Sequence, residues 1–77
     1  MKRLYFIAED LVTGAQQFAD TKKTAKESAK LRSMQTGHVV AVIAVDRGDN
    51  DKWHPQGAYY GRSWREGEYH YPGSRRG

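Results

Sequence analysis

Seventy-seven residues leave room for one domain with one small core, a size at which marginal stability is normal, and exclude a second domain. A hydrophobic fraction of 38% with nine aromatics separates the chain from disordered sequences, while the absence of cysteine excludes disulfide staples, thiolate nucleophiles and thiolate metal ligands, and suits a reducing compartment. Thirteen Lys and Arg against nine Asp and Glu give a net charge of +4, which favours polyanionic partners or simply aids solubility.

The opening MKRLYFIAEDL sets two basic residues before an apolar run, but Glu9 and Asp10 end that run too early for a signal peptide. No stretch approaches the ~20 apolar residues of a membrane span, so the expectation is a soluble, cytoplasmic protein without membrane contact. Leu4 to Ala8 is the first predicted strand, with Leu4, Phe6 and Ala8 on one face and Arg3, Tyr5 and Ile7 on the other. Thr13-Gly14 offers a turn at which Gly can supply a positive φ, and Ala15 to Phe18 can return as a short second strand; the hairpin reads as a plain connector rather than as an exposed binding loop.

Asp20 or Thr21 can cap a helix running through KKTAKESAKLRSMQ, which Gly37 closes as a left-handed residue. Its expected buried face is Ala25, Ser28, Ala29, Leu31 and the stem of Arg32, a thin stripe that leaves the aromatic residues to complete the core. Lys22, Lys23, Lys26 and Lys30 line other parts of the helix, either as a solvated face or as phosphate contacts.

His38 to Val45, HVVAVIAV, is apolar on both faces and reads as a strand in the middle of a sheet. Val39, Ala41, Ile43 and Val45 point one way, and Val40, Val42 and Ala44 the other. One helix covers only one of these faces. The other needs the C-terminal aromatics, a partner protein, or a second copy in a homodimer through the second face of strand 38–45.

Arg47 to Asp51, RGDND, reads as a Gly-containing turn rather than as an integrin tripeptide. Pro55 lacks a ladder donor, so the strand at Trp53 is expected to be short or at an edge. Ala58 to Trp64 is strand-like, with Gly61 marking a bulge or tight turn, and Glu66-Gly67 signals another turn before Tyr69, His70 and Tyr71. PGSRRG has nothing to bury and reads as a disordered basic tail, giving a single domain over 1–71 and a tail over 72–77. The expected fold class is α+β, one helix packed on an antiparallel sheet of three to five strands with a flexible basic C-terminal tail.

His38, His54 and His70 stand 16 residues apart, unlike the close pairs of metal sites, and no phosphate loop or cofactor motif is present. No cofactor, metal or catalytic residue is expected. An RNase alternative would draw on His54 or His70 with Glu66, Glu68, Arg62 and Arg65, residue types able to activate a 2′-hydroxyl and stabilise a phosphate. The densest feature is instead Trp53, Tyr59, Tyr60, Trp64, Tyr69 and Tyr71 interleaved with Arg62 and Arg65, which suits base stacking and phosphate contact or a protein interface. Trp64 and one of Tyr59 or Tyr60 are assigned to the core. The candidate contacts with nucleic acid or a partner are Lys22, Lys23, Lys26, Lys30, Trp53, Tyr59, Arg62, Arg65 and Tyr69.

Lys2, Tyr5 and Ile7 at the start, Ala25-Lys26 and Ser28-Ala29 in the helix, Gly37-His38-Val39, Trp53 and Gly61-Arg62-Ser63-Trp64 together carry a resemblance. In this pattern the chain resembles phage-encoded anti-CRISPR proteins of the type I class, in which one helix packs across an antiparallel sheet and the protein blocks the DNA-binding surface of a Cascade complex. The resemblance spans Lys2 to Trp64; the hairpin at Gly14, the Pro55 loop and the tail after Arg65 depart from it, and no contact residue is carried over. It implies a non-enzymatic phage or mobile-element inhibitor of a host protein or nucleoprotein complex. The alternative is a stand-alone module contacting DNA or RNA directly.

Overall fold

The computed structural model describes residues 3–67. Its elements run β1 (Leu4–Asp10), β2 (Gln16–Ala19), α1 (Lys22–Thr36), β3 (Val39–Asp46), a 3-10 turn (Arg47–Asp49), β4 (Lys52–Tyr60) and β5 (Ser63–Glu66). The five strands form one antiparallel sheet in the order β2-β1-β3-β4-β5, and α1 packs across one side of it. This is the expected α+β class, with β3 in the middle. The expected tail over 72–77, with Glu68, Tyr69, His70 and Tyr71, lies outside the described residues. No helix among the described residues is long and apolar enough to cross a membrane.

The helix starts where its first free N–H groups find an acceptor: the Thr21 hydroxyl, rather than Asp20, accepts from Thr24 N–H at 3.2 Å. It ends at Gly37, whose φ of 77° suits a residue without Cβ and whose N–H reaches the Ser33 carbonyl at 2.8 Å. The buried stripe is Ala25, Ala29 and Ser33, spaced four apart. Leu31 is 58% exposed instead of buried, because two residues beyond Ala29 is about 200° around the helix. Small residues on the stripe let α1 lie close to Ala8, Val40 and Val42, with Phe6, Ala19, Tyr59 and Trp64 packed around them.

On the opposite side of the sheet Ile7, Ala41, Ile43, Val45 and Ala58 form a second cluster, flanked by Tyr5, Leu11, Val39 and Trp53. Val40 to Ile43 and Val45 are at 0% exposure, so β3 is buried on both faces. That is the pattern its unbroken apolar run predicts.

Two further local expectations are corrected. First, β1 continues two residues beyond Ala8 and buries Glu9 and Asp10. Asp10 is admitted because its carboxylate is fully partnered. Oδ1 accepts from Val12 N–H at 2.8 Å and Thr13 N–H at 3.1 Å, while Oδ2 accepts from Arg32 Nε at 2.7 Å and His38 Nδ1 at 2.8 Å. Burial alone would raise its pKa; the bonds from His38, Arg32, Thr13 and Val12 outweigh burial and hold the carboxyl well below the usual carboxylate range. One side chain thereby ties the first hairpin, the helix and the entry to β3 together.

Second, the strand at Trp53 is neither short nor a full edge: β4 has nine residues and lies between β3 and β5. Pro55 is tolerated for two reasons. The register slips there, with Val42 opposite Gly57 but Ile43 opposite Pro55, so Gln56 is the extra residue of a bulge. In addition β5 pairs with β4 only from Gly57 onward, leaving the missing donor of Pro55 on a stretch with no outer neighbour among the described strands.

Candidate nucleic-acid interface

The basic residues of α1 gather beside the C-terminal aromatics because β4 and β5 fold back under the helix. Tyr59 and Trp64 are direct partners in the β4–β5 register and share the helix-side face, with ring centroids 5.0 Å apart at 53°. The Lys26 ammonium sits 4.3 Å above the Trp64 ring. Trp64 Nε1–H donates to Glu66 Oε1 at 2.6 Å, and the other oxygen of that carboxylate lies 3.8 Å from Lys22 Nζ. The indole N–H chiefly, and then the Lys22 charge, hold the Glu66 carboxyl below its ordinary pKa.

Gly57 makes this seat for Trp64. A Cβ at that position would lie 2.5 Å from Trp64 Cζ2 and 2.5 Å from the Arg65 carbonyl oxygen. The absence of a side chain therefore lets the indole come close against β4, where it meets the Lys26 ammonium.

The outcome is a shallow groove of about 510 Å³ lined by Lys22, Lys23, Lys26, Glu27, Lys30 and Tyr59. Four lysines and one acid, Glu27, line it, so positive charge prevails even with Glu66 beside Lys22. An aromatic wall under a row of cations can hold a sugar-phosphate chain through its charges and one base or sugar through Tyr59.

The structure divides the sequence-predicted contacts. Lys22, Lys23, Lys26, Lys30 and Tyr59 come together at the groove. Arg62 is exposed in the turn between β4 and β5. Arg65 is on the other face, its guanidinium 5.3 Å from the Tyr60 ring, and Trp53 packs on the second core cluster near Val45. Tyr69 lies outside the described residues. Trp64 and Tyr59 are the pair that packs toward the core, while Tyr60 is 45% exposed.

Of the RNase set, His54 is exposed on β4 and Glu66 is engaged by Trp64 and Lys22, while His70 and Glu68 lie outside the described residues. Among the described residues no group of His, Cys, Asp or Glu is placed to hold a metal ion. Sequence reasoning missed Glu66 as the partner of Trp64 and Lys22, and Gly57 as the seat of the indole; the i, i+2 spacing of Trp64 and Glu66 on one strand face was the available signal. Compared with known protein families, curated proteins and solved structures, the chain matches none.

Proposed function

We propose that this chain is a small non-enzymatic binding protein that docks its lysine groove on nucleic acid exposed in a host nucleoprotein complex and so obstructs that complex. The observation that carries the reading is the groove itself: Lys22, Lys23, Lys26 and Lys30 line one groove together with Tyr59. A phosphate backbone is the polyanion that such a row of ammonium groups beside an aromatic ring fits best. The resemblance to type I anti-CRISPR inhibitors makes a phage-encoded role, and a CRISPR surveillance complex as target, the first case to test.

The test measures binding to a fluorescent single-stranded 12-mer and to the nucleoprotein complex captured from host lysate, each across a salt series. Four phosphate contacts give a slope of log affinity against log salt of about −2.8, so raising salt from ~50 to ~200 mM weakens binding roughly 50-fold. Capture of the complex should fall in the same salt range and after nuclease treatment. Capture that is insensitive to both, or no binding to either target at low salt, would overturn the proposal.

A further inference from the structure

The two outer strands of the sheet are protected unequally. β5 carries Arg65 and Glu66, charges that discourage another strand from pairing with it. β2 reads Gln-Gln-Phe-Ala, with no charge, proline or bulge, and its first three residues are exposed. Natural edge strands are usually blunted by such devices.

The register shows which backbone groups this edge offers. Asp10 N–H donates to the Ala15 carbonyl at 2.9 Å, so Asp10 and Ala15 are a hydrogen-bonded pair of the β1–β2 ladder. Such pairs alternate along an antiparallel ladder, so Ala8 with Gln17 and Phe6 with Ala19 are the next ones. Gln16 and Phe18 therefore turn their N–H and C=O groups outward. Phe18 also presents its side chain, 62% exposed and stacked on Tyr5 with centroids 5.8 Å apart.

The surroundings of that ring select a side chain. A cleft of about 660 Å³ at this end of the sheet is lined by Tyr5, Phe18, Ala19, Asp20, Arg47 and Asp51. The Arg47 guanidinium carbon already rests 4.5 Å from the Tyr5 centroid, so this aromatic stack accepts a guanidinium on one end. The Phe18 end has its own ring surface exposed and two carboxylates in the same cleft.

We propose that β2 is a docking edge for an extended segment of a protein partner, which adds as a sixth strand and places an arginine over Phe18 between Asp20 and Asp51. Outward bonds from Gln16 and Phe18 supply the backbone pairing; the aromatic ring and the two carboxylates supply preference for arginine. This surface is separate from the lysine groove and does not depend on it.

The probe is the peptide acetyl-Thr-Val-Thr-Arg-Thr-Val-amide, titrated against the full chain by amide NMR with hydrogen exchange. Binding should slow exchange at Gln16 and Phe18 and shift the Phe18 ring. Replacing the peptide arginine by glutamate should weaken binding at least tenfold, as should Asp20→Asn with Asp51→Asn. Gln16→Pro removes one outward donor without touching β1, and Phe18→Lys blunts the edge if the proline variant misfolds; either should abolish the protection read at the amide of position 18. No protection at Gln16 and Phe18 at millimolar peptide overturns the proposal, as does equal binding of the glutamate peptide. Protection of the same amides by self-association, read from sedimentation without peptide, assigns the edge to a second copy and overturns it as well.

Discussion

Asp10→Asn exchanges one carboxylate oxygen for NH₂ and changes almost nothing of shape, yet it should be among the most damaging substitutions in this fold. The amide keeps an oxygen for the Val12 and Thr13 N–H groups but turns an NH₂ toward Arg32 Nε, where donor meets donor, and toward His38 Nδ1, which has to switch tautomer to accept. Removing one partner of a buried ion pair costs about 3–5 kcal/mol. The Arg32 and His38 side chains are 41% and 31% exposed and can turn to water, which reduces the expected loss to about 2–3 kcal/mol. For a domain of this size that corresponds to a fall in Tm of about 10–20 °C.

The pH dependence gives an independent check. The folded carboxyl has a pKa depressed below its unfolded value of about 3.9, so its contribution is complete above that value and is lost as pH falls toward the folded pKa. In urea denaturation followed by circular dichroism, the gap between wild type and Asp10→Asn should narrow by about 1.3 kcal/mol between about pH 5 and pH 3. A loss below about 0.5 kcal/mol at neutral pH, or a gap that stays constant down to pH 3, would refute the reasoning.

Three further outcomes are expected. The buried Ser33 hydroxyl accepts from Gly61 N–H at 2.6 Å and has the His38 and Tyr59 carbonyls at 2.7 and 3.2 Å, so Ser33→Ala should destabilise by about 1–3 kcal/mol in the same urea assay. Gly57→Ala pushes a methyl group into the Trp64 ring and the β5 backbone, and should cost about 1–3 kcal/mol while shifting the Trp64 indole N–H resonance; an unmoved resonance would mean that the indole does not rest there. Lys26→Gln removes one phosphate contact without emptying the space over Trp64, and should bring the salt slope from about −2.8 to about −2.1 with Tm nearly unchanged; a slope that stays the same excludes Lys26 from the contact.

What the bare sequence made legible was governed by local rules. The caps at Thr21 and Gly37, the hairpin at Gly14 and the doubly apolar run of β3 follow from neighbours along the chain, and each is present. The lysines of the groove were legible for the same reason, since helical spacing alone sets them close together. Asp10 was not. It reads as the polar end of an apolar run, and its role depends on Arg32 and His38, respectively 22 and 28 residues away, reaching one oxygen. Glu66 is similar, because only the β4–β5 register brings it to Lys22. Pro55 misled in the other direction: a bulge and the short reach of β5 let a proline sit within a long strand.

The pairing of β1 with β3 is the seam on which the order of assembly depends. On one side β1 and β2 form a hairpin, on the other β3, β4 and β5 form a meander, and each of these pairs neighbours in the chain. Across the seam, Asp10 meets Val40 and Tyr5 meets Val45, partners 30 and 40 residues apart. A lone hairpin is at best marginal in water, so the β1–β2 half gains little until the intervening loop closes. Formation of α1 shortens that loop, because fifteen of its residues rise only ~1.5 Å each, which makes an early helix the natural accelerator of folding. During synthesis the N-terminal hairpin must wait for residues 39–46 to emerge, and a chain stopped before Val39 lacks the strand on which both core clusters are built.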